Sequence, residues 1–137
     1  MSDYHKFSEL LCGSRYAVAL TGAGISVESG IPDFRSKNGL WSRYDPNEYA
    51  YIESFRKDPD KVWKMLVEMD ELFSIVQPNK AHLALSELEK LGILKMLVTQ
   101  NIDSLHQRAG STNVVEFHGH FRSLHCESCM RTCLREN

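Results

Sequence analysis

Residues 19–36 read "ALTGAGISVESGIPDFRS". The run begins as the tail of "YAVALTG" (16–22), an apolar segment of strand length that stops at a glycine, which predicts a buried strand. Gly22 and Gly24 then make a turn ahead of a helix start. In such a place bare backbone N–H groups and a positive helix end can hold a phosphate. The next glycine is Gly30, and Val27 stands where the usual dinucleotide fingerprint has its third glycine. On these residues alone a tight strand-to-helix turn without any ligand reads equally well. The tail, Ile31 to Arg35, adds chemistry. Pro32 restricts the chain, Arg35 offers a planar donor fork for phosphate or carboxylate, and Phe34 offers a flat face that could shield a reactive centre. The plainer alternative makes Phe34 a core residue and Arg35 a surface charge.

Outward from this stretch, the segments alternate. "FSELLCG" (7–13) predicts a short amphipathic helix ending near Gly13. Residues 36–51 are polar, aromatic and turn-rich without a steady period, a loop of functional length. Helices are predicted over 59–76 and 78–92, the second opened by Pro78 and Asn79 and closed by Gly92. "ILKMLVTQN" (93–101) reads as a second buried strand, "IDSLHQRAG" (102–110) as a short helix and "NVVEF" (113–117) as a third strand. Strands alternating with helices predict an α/β fold with a Rossmann-like parallel sheet.

The bulk properties narrow the function classes. The 137 residues are 42% hydrophobic and 25% charged with a formal net charge of −2, so the chain is globular and carries no electrostatic footprint for nucleic acid. No apolar run reaches the roughly 18 residues of a membrane helix, and "MSDYHKFSEL" lacks the form of a secretory signal. A cytoplasmic protein is expected. Three of the four cysteines, Cys126, Cys129 and Cys133, cluster near the end of the chain, which favours a metal site over a disulfide framework. Cys12 stands apart and reads as a buried thiol.

Three further segments carry chemistry. Gln100, Asn101, Ile102 and Asp103 follow the second strand, and ligands of open parallel sheets bind at carboxyl ends of strands. Asn101 or Asp103 could equally cap the helix that follows. His118 follows the third strand beside Gly119, which would let a substrate approach, and an imidazole can accept a proton near neutral pH. A structural histidine is the alternative, and five others are present. Cys126 and Cys129 have the knuckle spacing of a structural zinc site, whose second pair belongs about 15–20 residues onward.

Together and in this order, "GAGISVESGIPDFRS", "TQNID", "HQRAG", "EFHG" and "CESC" resemble the consecutive motifs of the sirtuins, NAD-dependent protein lysine deacylases, over about residues 15–129. The resemblance implies that the glycine turn holds the NAD pyrophosphate and that the Pro-Asp-Phe-Arg run belongs to a loop closing over the cofactor. By the same match Ala23 and Gly24 line the phosphate and ribose region, with Ile25 and Ser26 close by, and Gly22 and Ile25 count with them as cofactor-binding. Asp33, Phe34 and Arg35 order on NAD, Phe34 near the nicotinamide–ribose bond. Gln100 contacts the nicotinamide ribose, and Asn101, Ile102 and Asp103 line the nicotinamide pocket. His118 is the general base. Cys126 and Cys129 are zinc ligands.

The implied reaction starts with attack of the acyl-lysine amide oxygen on the ribose carbon as nicotinamide leaves. His118 then deprotonates a ribose hydroxyl, and the products are nicotinamide, free lysine and an O-acyl-ADP-ribose. Leu66 and Met69 fall near the positions where relatives preferring acidic acyl groups carry Tyr-x-x-Arg, so a neutral acyl group is expected. The implied organisation places residues 1–38 and 77–120 in the NAD-binding Rossmann-like domain. Residues 39–76 form the cofactor loop and the helical module of the small domain, and 121–137 a truncated zinc-binding module. Sirtuin cores are roughly twice this long. The expectation is therefore an amino-terminal half, inactive and poorly soluble alone, partnered by a missing carboxy-terminal half. The competing functions are an NAD glycohydrolase or ADP-ribosyltransferase, and a non-catalytic nucleotide-binding module.

Overall fold

A computed structural model describes residues 2–134. In chain order the elements are α1 (Asp3–Gly13), β1 (Ala17–Thr21), 3-10 turns at Ala23–Ser29 and Leu40–Ser42, α2 (Pro46–Tyr49), α3 (Ile52–Lys57) and α4 (Pro59–Ile75). They continue with α5 (Lys80–Lys90), β2 (Leu94–Thr99), α6 (Leu105–Arg108), β3 (Val114–Glu116), β4 (Ser123–His125) and β5 (Thr132–Leu134). The chain divides into two compact units, one formed by 1–22 and 78–137, the other by 23–77.

The first unit holds a three-stranded parallel sheet in the order β1-β2-β3 and a two-stranded antiparallel hairpin of β4 and β5. The expected α/β class and incomplete parallel sheet are present. The register places Thr21 opposite Thr99 and Thr99 opposite Glu116, so the three strands end level. The ladder runs one step further, with Gln100 N–H donating to Thr21 O (3.0 Å) and Phe117 N–H to Thr99 O (2.9 Å). Leu94 and Leu97 of β2 are buried, as are Leu105 and Ala109.

Helix α5 starts where the sequence indicates. Asn79 caps it, its Oδ1 accepting from Ala81 N–H (2.9 Å) and, at 3.4 Å, from His82 N–H. His82 Nδ1 accepts from Asn79 N–H in return (3.3 Å), so an imidazole takes the place of the usual Glu or Gln of a capping box. At the other end Gly92 takes a left-handed φ of 71° and stops the helix. Glu89 on α5 reaches the turn before β3, accepting from the N–H groups of Thr112 (3.0 Å) and Asn113 (2.8 Å). Burial pushes its carboxyl up, but the Thr112 hydroxyl, which donates to Oε1 (2.6 Å), and those N–H groups outweigh burial and hold it below the ordinary range.

In the second unit, Asp58 caps α4 through Lys61 N–H (3.1 Å) with Pro59 in the first turn. Val62, Met65 and Phe73 are its buried residues, spaced by helical turns along one face. The segment 36–51, expected as a loop, contains the Leu40–Ser42 turn and α2, which Asp45 and Pro46 start. Short capped turns of this size leave no periodic pattern to read.

Three other expectations change. α1 begins at Asp3 rather than Phe7 and buries none of its residues; Cys12, read as a buried thiol, is exposed on it. A helix laying no face against the fold has no interior in which to hide a thiol. The segment 102–110 is helical only at Leu105–Arg108, because Ser104 takes a left-handed φ of 58°. No helix among the described residues is long and apolar enough to cross a membrane.

Candidate active site

The level ends of the sheet bring the second and third sequence clusters to one edge of the first unit. Asn101, 6% exposed, donates through Nδ2 to Gly22 O (3.2 Å) and through its backbone N–H to Thr99 Oγ1 (3.1 Å). The loop leaving β2 is thereby clasped to the turn leaving β1. Asp103 is buried, and its Oδ1 accepts from Leu105 N–H (2.9 Å). Asp103 thus bonds the first N–H of α6 from one residue before its N-cap, Ser104. Gln100 is exposed and Ile102 half-buried, on the same short segment.

His118 lies two residues beyond the end of β3 and is exposed, its ring tilted 57° from that of Phe117 at 5.3 Å. Gly119 turns the chain after it with φ 81°, its N–H donating to Glu116 O (3.1 Å). The imidazole is therefore open to a substrate hydroxyl from solvent.

Gly22 closes the first unit's opening strand, and a Cβ added there would meet nothing within 4 Å. In the second unit Ala23, Gly24 and Ile25 lie on the first 3-10 turn, and a Cβ on Gly24 would likewise meet nothing. Neither glycine has a positive φ. Neither its own backbone nor a crowding neighbour requires glycine at these positions, and the space over both is open. An oxyanion resting on the main chain would fill such space. Ser26, in the same turn, is fully buried.

The Pro-Asp-Phe-Arg run is folded back on itself within the second unit. Asp33 O accepts from Leu40 N–H (2.7 Å) and Phe34 O from Trp41 N–H (3.0 Å). Asp33 Oδ1 accepts from Ser36 N–H (2.9 Å), and these Ser36 bonds hold its carboxyl below the ordinary value. Phe34 is half-buried against Trp41 at 5.3 Å, and Arg35 is exposed. A guanidinium in water and a ring partly covered are free to engage a ligand.

Cys126 and Cys129 sit in the turn of the β4–β5 hairpin. Cys126 N–H donates to Arg131 O (2.9 Å) and Met130 N–H to Cys126 O (2.8 Å), with Met130 left-handed at φ 58°. Arg131 Nε lies 3.4 Å from Cys129 Sγ and, with the other bonds there, holds that thiol below its ordinary value. Two thiols on such a turn fit half of a tetrahedral zinc site. Among the described residues no group of three or more His, Cys, Asp or Glu stands ready to hold a metal.

A buried polar cluster escaped the sequence reading. His82 and His106 are fully buried, their rings 4.8 Å apart, and His106 Nε2 meets Thr21 Oγ1 at 2.9 Å. Burial first, and then His82, push His106 down to about 4, against the opposing pull of Asp103. The signal was available: His82 and Ser86 are one helical turn apart on α5.

Residues 22–137 match the Sir2 family. NAD-dependent protein deacylase 1 of Archaeoglobus fulgidus is 56% identical over 125 residues, covering 90% of this chain and 51% of the relative. The structure of a Sir2 homologue variant complexed with ADP-ribose is similar with a TM-score of 0.92 and 52% identity, over 98% of this chain and 53% of that one. A Sir2 variant solved with a deacetylated p53 peptide and 3'-O-acetyl ADP-ribose gives a TM-score of 0.90 at 40% identity, over 97% and 54%. The chain thus spans about half the length of the relatives it matches. The sequence, the level strand ends and these likenesses agree: the chain belongs to the Sir2 family, the sirtuins.

Proposed function

We propose that the chain forms part of an NAD-dependent protein lysine deacylase, with an acetylated lysine in a protein as its substrate class. The observation that carries the reading is the level sheet edge, where Asn101 clasps Gly22 and His118 stands exposed beyond the neighbouring strand. The family membership and the relatives' deacylase names support it.

In this reading Gly22 and, on the other unit, Ala23, Gly24 and Ile25 offer backbone to the phosphates and ribose of NAD. Gln100 serves the nicotinamide ribose, and Asn101, Ile102 and Asp103 line the nicotinamide pocket, where Ile102 and Asp103 hold the carboxamide. Asp33, Phe34 and Arg35 engage the bound dinucleotide, with Phe34 excluding water. NAD supplies an electrophilic ribose carbon with a good leaving group, and His118 removes a proton from a ribose hydroxyl. Leu66 and Met69 on α4 favour a neutral acyl group. Cys126 and Cys129 supply two thiolates toward a structural zinc, whose remaining ligands are not found among the described residues. Residues 1–38 and 77–120 serve as the first part of the NAD-binding domain, 39–76 as the cofactor loop and helical module of the small domain, and 121–137 as part of the zinc module. The remaining length found in relatives is the natural partner, and the cytoplasm the compartment that suits free thiols.

Nicotinamide release from NAD, with and without an acetyl-lysine peptide, tests the reading. Release that needs the peptide supports it; because nicotinamide leaves before His118 acts, His118→Ala is expected to abolish formation of O-acyl-ADP-ribose and free lysine rather than the release itself. Release without peptide overturns it in favour of a glycohydrolase or ADP-ribosyltransferase. ADP-ribose binding with no release, in the chain joined to the remaining length of a relative, points to a nucleotide-binding module.

A further inference from the structure

The loop that carries His118 is closed at its base by one side chain. Arg122 Nη1 donates to Glu116 Oε1 (2.7 Å), and its Nη2 pairs with Glu116 Oε2, so the guanidinium grips both carboxylate oxygens. The same Nη1 also donates to Ser104 Oγ (2.6 Å). Inside the loop Arg122 N–H donates to His120 Nδ1 (3.2 Å), and Gly119 N–H to Glu116 O (3.1 Å). Glu116 is the last residue of β3 with a side chain only 11% exposed, and Ser104 is the left-handed residue directly after Asp103.

One guanidinium therefore joins three segments: the end of β3, the loop bearing His118, and the loop bearing Asn101 to Asp103. An exposed ion pair between two flexible side chains does little to fix geometry. This pair differs, because the carboxylate is sheltered at a strand end and the fork is bidentate. The third contact lands on a residue whose backbone is already committed to a sparsely populated conformation. A lysine cannot reproduce it, since an ammonium is a point charge without the planar fork.

We propose that Arg122 is a positioning residue: it sets the loop that presents His118 and ties it to the Asn101–Asp103 loop. The relevance to catalysis rests on the reading of His118 as the base. The positioning itself is measured without NAD, so the failure of either claim is seen separately.

The test is nuclear magnetic resonance of the free chain. The Phe117 ring 5.3 Å from the His118 ring gives the His118 imidazole protons a ring-current shift that reports loop geometry. In Arg122→Gln that shift is expected to collapse toward the value of an unrestrained histidine. Amide exchange at Gly119 and His120 is expected to rise about tenfold, the size of one lost charge-assisted bond. Arg122→Lys should fail to restore the His118 shift. If the stranded Glu116 carboxylate unfolds the single variant, the Arg122→Gln/Glu116→Gln pair removes that charge and gives the same readout. An unmoved His118 signal with unchanged exchange, in either folded variant, overturns the proposal.

Discussion

His106 Nε2 sits 2.9 Å from Thr21 Oγ1, tying α6 to the last residue of β1, one position before Gly22. Asn101 Nδ2 reaches Gly22 O at 3.2 Å. The turn after β1 is thus fixed by two side chains from the segment that follows β2. Its neighbour His82 is held by the cap of α5, so the cluster links α5, α6 and the sheet.

The cluster makes stability depend on pH. Burial lowers His82 and takes His106 from 6.5 to about 4. A lowered folded pKa means the native state favours the neutral ring, so the stabilisation is complete above pH 6.5. It is lost as pH falls from 6.5 toward 4. For His106 the loss amounts to about 3 kcal/mol. Urea denaturation at steps between pH 7.5 and 4 is expected to show this decline, with a shallower slope in His106→Gln.

Removing the hydroxyl partner isolates the bond itself. Thr21→Val keeps the shape but leaves a buried imidazole nitrogen unpaired, at a cost of about 1–3 kcal/mol. Thr21→Ser keeps the hydroxyl and is expected to recover most of it. Thermal unfolding at pH 7.5 checks both.

Gly39 is required by contact rather than by φ. A Cβ there would stand 2.7 Å from Asp33 O and Oδ1 and 2.8 Å from Phe34 C. Gly39→Ala is therefore expected to push the Asp33–Phe34 segment off its bonds to Leu40 and Trp41, destabilising by roughly 1–3 kcal/mol. Trp41 fluorescence should change accordingly, while the far-ultraviolet dichroism stays near that of the wild type.

The α5 cap gives a simpler test. Asn79→Ala removes an acceptor from two N–H groups and the partner of His82 remains. A loss of about 1 kcal/mol is expected, and Asn79→Asp should restore it. Denaturant titration at pH 7.5 reads both variants.

The sequence by itself determined the strand–helix alternation, because apolar runs of strand length and capped amphipathic helices are written in local order. Pro78, Asn79 and Gly92 mark the limits of α5 in advance because caps and stops depend on a residue's own backbone chemistry. The ordered motifs from Gly22 to Cys129 likewise fixed the family. Only the tertiary structure decided which residues share an edge. Asn101 reaches Gly22 across 79 positions of chain and His106 reaches Thr21 across 85, and no periodicity records a hydrogen bond between distant segments. Cys12 shows the same limit from the other direction. A thiol's burial depends on whether its helix has something to pack against, which is a property of the fold and not of the residues beside it in sequence.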